Sequence, residues 1–405
     1  MRVSVDPSRA LLEELGRPQG RFLSIHIAGT KGKGSVAELI ARGLLRAGLC
    51  CGVYGSPHVE RVQERVRLNS EEIGDDALAE ALEAALDALE TGRTRDSTAT
   101  EATWFDVLTA AAFYAFAEAQ VDVAVVECGL GGRLDSTNVI QAPFAVITNI
   151  GLEHTEILGS TRSAIAREKA GIISPGAAVF MGLDETDVAG RAIVESARDL
   201  GASVMALPPS PGDSIHDRNG RIARAVLDAF GRHFSRRYPG ARVPAHEPWG
   251  VWALDAATFA AASLPGRLER RMAGEVQVVL DGAHVAESLR AVLDELAADP
   301  ALVSQPVVVF GTGKEKNARA LLKELSSRTD SLLCTSVGPG PHHAPLELLA
   351  MARESGIGAV VSETPRRALD EALRLAGSDG WVLVTGSLHL VGAVRRFTRA
   401  YPPNG

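Results

Sequence analysis

The sequence predicts an α/β chain of two domains, each a parallel-rich sheet covered by helices. Three observations carry this reading. Short apolar runs of strand length alternate with runs of helical period almost from end to end. Glycine-rich or polar turns follow several of those runs. The chain has 405 residues, too many for one ordinary core.

The elements follow in order. Residues 22–28 read as a buried strand, and after a glycine-rich turn Val36, Leu39, Ile40 and Leu44 recur at helical spacing. Residues 75–89, rich in Ala, Leu and Glu, form a second helix, and residues 121–127 and 144–149 are two further apolar strands. The region 182–265 is less regular: it holds a Pro-Pro-Ser-Pro-Gly cluster at 208–212 and an Arg-rich, Trp-containing stretch at 232–252, with helical character at 221–230. Leu264-Pro265-Gly266 is the expected boundary, giving domains 1–264 and 265–405. Beyond it strands are expected at 276–281, 307–311, 332–336, 359–362 and 381–385, separated by helices, so the smaller second domain is also α/β.

Composition narrows the function. A formal net charge of −8 offers no general basic field for nucleic-acid phosphates. Cys50, Cys51, Cys128 and Cys334 match neither a metal-ligand spacing nor a disulfide framework, which fits a reducing compartment. No secretory signal opens the sequence, and the longest uncharged apolar run, 107–117, is too short for a bilayer. A cytoplasmic protein with small-molecule partners, no nucleic acid and no membrane is expected.

The sharpest motif is Gly29-Thr30-Lys31-Gly32-Lys33-Gly34-Ser35, between a strand and an amphipathic helix. Polyphosphate binding needs close backbone approach, inward amides and a helix amino terminus; the glycines supply the first, and Lys33 can place a cation on the β/γ-phosphates. The spacing is shorter than the Walker pattern, with the hydroxyl after Gly34 rather than after the lysine. Next comes Glu127, at a strand end, followed by Cys-Gly-Leu-Gly-Gly-Arg-Leu-Asp-Ser-Thr-Asn138. Its carboxylate either holds Mg²⁺ or caps the following turn. His154 follows the next strand and can reach the same edge. Lys169, near a helix end, reads by itself as a cation opposing the helix dipole.

Taken together these residues resemble the folylpolyglutamate synthase/dihydrofolate synthase family of the Mur ligase superfamily. The likeness runs through His26–Ser35, Ser56-Pro-His58, Glu64-Arg-Val-Arg67, Glu127–Asn138, Thr148–Thr155 and Arg167-Glu-Lys-Ala-Gly171. In the second domain it includes Leu264–Glu269, Asp281-Gly-Ala-His284 and Gly386–Gly392. The resemblance implies a P-loop-containing Mur-ligase-like central domain and a Rossmann-like glutamate-ligase domain. It implies ATP and Mg²⁺ as cofactors, with residues 29–35 on the phosphates and Lys33 on the transferring group. Ser56 and Glu127 would ligate one Mg²⁺, and His154 would help hold a second. Lys169 matches a lysine that is carbamylated, which reverses its charge. Asn219, Arg267 and Asp281 match nucleotide-contacting positions, and His284 a cleft-facing substrate position. Thr103, Trp104, Phe105 and Asp106, with Leu134, Asp135 and Ser136, match the pocket for the pteridine-bearing acceptor.

The implied activity is ATP-dependent addition of L-glutamate to dihydropteroate, folates or both, through an acyl phosphate, by a monomer. A Mur-type ligase for another carboxylate, or a nucleotide-binding protein that has lost ligation, are the competing readings. Three departures fall mainly where acceptors are chosen. Val285-Ala286 stands where the family has Asn-Pro, the amino terminus is short around Val5-Asp6-Pro7, and the stretch between Lys169 and Asn219 is compressed. A looser grip on the pteridine than on ATP is therefore expected.

Overall fold

The computed structural model describes residues 4–95, 97–237, 248–338 and 340–398. The part of the Arg-rich stretch at 238–247 lies outside the described residues. The chain divides into two compact units, Met1–Ala262 and Ser263–Gly405.

The first unit is built on eight strands: β1 (Leu23–Ala28), β2 (Cys51–Tyr54), β3 (Val66–Leu68), β4 (Glu71–Glu72), β5 (Val123–Glu127), β6 (Phe144–Ile147), β7 (Ala178–Met181) and β8 (Ser203–Ala206). Their order is β4-β3-β2-β5-β1-β6-β7-β8. The six strands from β2 to β8 in that order run parallel, while β3 and β4 pair antiparallel at one edge. A parallel sheet needs apolar residues on both faces, and β5 has them. Val123 and Val125 join the cluster under the helices Lys33–Arg46 and Ile215–Arg237. Ala124 and Val126 join the opposite cluster, with Phe113 and Phe116 of the helix Trp104–Glu118.

Because these six strands are parallel, Ala28, Tyr54, Glu127, Ile147, Met181 and Ala206 end on one edge of the sheet. Ligands of open α/β sheets bind at that edge, near the strand where the winding reverses. That strand is β1, with β5 on one side and β6 on the other.

The second unit carries β9 (Glu269–Ala273), β10 (Val276–Leu280), β11 (Val307–Phe310), β12 (Ser331–Cys334), β13 (Ala359–Val361) and β14 (Trp381–Thr385). Their order is β13-β12-β11-β14-β10-β9, parallel except for β9.

Several elements depart from the sequence reading. β2, β7, β8 and β9 are additional to the strands expected from the sequence, and β9 mixes Glu and Arg into an edge position. The helix at 221–230 is longer, spanning Ile215–Arg237, and so includes Asn219.

Candidate active site

The loop after β1 is shaped by two glycines. Gly29 has φ +150°, and a Cβ there would stand 1.9 Å from Thr148 Oγ1. Gly32, at φ +80°, precedes the helix Lys33–Arg46, and a Cβ on it would lie 2.8 Å from Asn219 Oδ1. Both positions therefore need glycine, for backbone conformation and for space. Asn219, remote in sequence, is thereby brought against the loop.

The end of β6 fixes the loop from the other side. Thr30 N–H donates to Asn149 O at 3.0 Å and Lys31 N–H to Asn149 Oδ1 at 2.9 Å. The Lys31 carbonyl accepts from Thr148 Oγ1 at 2.6 Å and Asn149 Nδ2 at 3.0 Å. Gly151 N–H donates to Thr30 Oγ1 at 2.9 Å. Gly34 and Ser35 lie in the helix's first turn, so the cradle meets a helix amino terminus.

Cations and acids gather beside this cradle. Lys33 Nζ lies 3.8 Å from Glu127 Oε1, with both side chains largely buried. Ser56 N–H donates to Glu127 Oε2 at 3.3 Å, joining the end of β2 to the end of β5. Lys169, from the helix Arg162–Ala170, is 5% exposed and donates from Nζ to Gly29 O at 2.8 Å. Burial, and then repulsion from Lys33, push its ammonium pKa down to about 8. His154 opens the short helix Thr155–Leu158 in the left-handed conformation, φ 53°, with Nδ1 4.0 Å from Glu156 Oε1.

A cleft of about 310 Å³ is lined by Ser56, Pro57, Arg65, Phe105, Gly129, Leu130 and Asp135. Phe105 packs on Tyr54 and on Trp104, which is 60% exposed. Arg65, given no role by the sequence reading, is 8% exposed, donates from Nε to His58 Nδ1 at 2.8 Å and stacks 5.0 Å over the Trp104 ring. Thr103, Asp106 and Ser136, which match pocket positions, are engaged within the protein. The Asp106 carboxylate accepts from Thr103 N and Oγ1 at 2.8 and 2.7 Å, from Ser136 Oγ at 2.7 Å, and from Ser8 Oγ. Burial pushes the Asp106 pKa up, but these donors outweigh it and hold it below the usual range. Asp135 accepts from Leu130 N at 2.8 Å and Thr137 Oγ1 at 2.6 Å, and its burial raises its pKa. Leu134, between Arg133 and Asp135, is half-buried on the same turn.

In the second unit, Asp281 is buried at the end of β10, and its carboxylate accepts from Leu268 N at 2.9 Å and Ala283 N at 2.8 Å. Burial raises its pKa against the attraction of Arg267, whose side chain is exposed. His284 Nδ1 meets Gly282 O at 2.9 Å.

Comparison with known proteins places this arrangement. Residues 27–200 match the Mur ligase middle domain and residues 266–388 the Mur ligase glutamate ligase domain. Folylpolyglutamate synthase from Lacticaseibacillus casei is 32% identical over 413 aligned residues, covering 95% of this chain and 92% of that one. The chain belongs to the folylpolyglutamate synthase/dihydrofolate synthase family. Among solved members, E. coli FolC in complex with DHPP and ADP superposes with a TM-score of 0.81 at 27% identity, covering 99% of this chain and 94% of the other. A bifunctional folylpolyglutamate synthase/dihydrofolate synthase with Mn, AMPPNP and L-glutamate bound gives 0.79 at 28% identity, covering 98% and 95%.

For a folylpolyglutamate synthase relative, the donor set near Lys33 suits a hard cation. It is the strand-end carboxylate of Glu127, which lies beside the phosphate cradle and takes the Ser56 N–H. Among the described residues no group of three or more His, Cys, Asp or Glu forms a metal cage. Mg²⁺ is commonly bound this way, through one or two carboxylates with waters and substrate phosphates. Among the described residues, no helix is long and apolar enough to cross a membrane.

Proposed function

We propose that this chain is an ATP-dependent ligase that joins L-glutamate to a pteroate- or folate-type acceptor. The observation that carries the reading is the convergence of Lys33, Glu127, Ser56 and Lys169 on one phosphate loop beside a cleft lined by Phe105 and Arg65. A carboxylate does not react with an amine unaided, because oxide is a poor leaving group. Transfer of the ATP γ-phosphoryl group to the acceptor carboxylate forms a C–O–P linkage as the β–γ P–O bond breaks. The glutamate α-amine then adds to that carbonyl, loses a proton, and expels inorganic phosphate.

The chain's own residues supply positioning and charge. Residues 29–35 cradle the polyphosphate, with Asn219 against Gly32 and the β6 end holding Thr30 and Lys31. Lys33 offsets charge that develops on the transferred group. Ser56 and Glu127 would hold Mg²⁺, with His154 towards a second ion. Bound there, the metal would neutralise phosphate charge and orient the γ-phosphoryl group. Lys169, carried as a carbamate, would set an anionic oxygen beside Lys33.

Phe105 and Trp104 offer ring faces to a pterin or aminobenzoyl group, and Arg65 offers a fixed cation to its carboxylate end. In the second unit Arg267 and Asp281 would contact nucleotide and His284 the incoming substrate. A monomer acting on small molecules is the accompanying proposal. ADP release that depends on acceptor and L-glutamate together tests this reading. Release with neither required would reject it.

A further inference from the structure

The phosphate loop carries two lysines, one on each side of Gly32, and each faces its own carboxylate. Lys33 stands 3.8 Å from Glu127, and Lys31 Nζ donates to Glu153 Oε1 at 2.8 Å. Their settings differ. The Lys33 and Glu127 side chains are 16% and 7% exposed, those of Lys31 and Glu153 36% and 17%. Lys31 thus reaches water while Glu153 holds it.

The loop does not need this pair for its shape. The Lys31 N–H and carbonyl are already tied to Asn149 and Thr148 by three hydrogen bonds between 2.6 and 3.0 Å. Thr30 adds bonds to Asn149 and Gly151. With the backbone fixed, the ion pair governs where the ammonium points and what charge the cradle presents. A partly exposed lysine–carboxylate pair is weak and readily exchanged. A triphosphate offers more charge and more acceptor oxygens than one carboxylate.

We propose that Glu153 is the resting counter-ion of Lys31, and that a nucleoside triphosphate exchanges it for phosphate oxygens at the Lys31 ammonium. The proposal rests on the nucleotide-site reading above. Glu153 is then a positioning residue: it holds the lysine beside the cradle before nucleotide arrives, and binding must displace it. It also lies within electrostatic reach of Lys169, so its release changes the field at a third lysine of the site.

A double-mutant cycle on ATP binding tests the exchange, with calorimetry in EDTA at fixed ionic strength, so that neither metal nor turnover contributes. Glu153→Gln should tighten ATP by about two- to fivefold, the range spanned by a partly exposed ion pair. Lys31→Met should weaken it, and the Glu153→Gln gain should vanish in the Lys31→Met background. Glu153→Asp keeps the charge but draws it back by one methylene, and should also tighten ATP. Equal gains with and without Lys31, or no gain from Glu153→Asp, would mean that Glu153 acts only as a repelling charge, and would overturn the proposal. Unchanged or weaker binding by Glu153→Gln would overturn it too. Absence of ATP binding by the unaltered chain would reject the nucleotide-site reading along with it.

Discussion

Lys169 is the residue at which structure and chemistry make the sharpest demand. Its Nζ is buried 2.8 Å from the Gly29 carbonyl, and burial with Lys33 nearby pushes its pKa down to about 8. An ordinary lysine is uncharged at pH 7 in roughly 1 molecule in 3,000, whereas an amine titrating near 8 is uncharged in roughly 1 in 10. That gain, about 300-fold, is in the form that can attack dissolved CO₂. One proton must leave the ammonium to give that amine; its nitrogen would then bond to carbon as a C=O pair moves onto oxygen and a second proton leaves, giving a carbamate anion. Repulsion with Lys33 turns into attraction.

The perturbation is Lys169→Ala, with initial rates of ADP release measured with and without added acetate or propionate. The expected loss is about 100-fold or more, as for other groups aimed at transition-state charge. Partial recovery with the added acid is expected. In the unaltered enzyme, removal of CO₂ should lower the rate and bicarbonate should restore it. The bicarbonate requirement should grow as pH falls below about 8, because protonation consumes the attacking amine. Full activity of Lys169→Ala, or indifference to CO₂ at every pH, would refute the reasoning.

Three further outcomes are expected. Lys33→Ala should lower kcat by about 10²–10³-fold while the thermal melt stays near that of the parent, and near-native turnover would remove Lys33 from the mechanism. Glu127→Gln should shift the Mg²⁺ titration of activity to higher concentration, since shape is kept and charge is lost; an unchanged titration would favour the turn-capping role. Asp106→Asn should destabilise the fold by about 1–3 kcal/mol, because an amide nitrogen must face donors from Thr103, Ser136 or Ser8, and denaturant unfolding measures this.

The first part of the site was readable because it is contiguous. Residues 29–35 form one strand–turn–helix, and Glu127 ends a strand recognisable by its valines. What escaped depends on approach in space. Nothing in the local sequence announces that Asn219 meets Gly32, or that Glu153 takes Lys31. Arg65 was part of a recognised motif, but its place depends on His58 and Trp104. The role of Asp106 was partly legible. Thr103 and Asp106 stand three residues apart at a helix start, the spacing of a capping box, and that pattern marks a fold-building pair. Length does not explain the absence of β7 and β8 from the sequence reading, because β6, β11 and β12 are equally short.

The most direct measurement is ADP release, in a coupled assay with ATP, Mg²⁺ and L-glutamate, against three acceptors: dihydropteroate, tetrahydrofolate and a UDP-muramoyl substrate. Turnover is expected with dihydropteroate, tetrahydrofolate or both, dependent on L-glutamate, and none with the muramoyl acceptor. ATP binding without turnover on either pterin acceptor would contradict it, as would release driven by the muramoyl substrate alone.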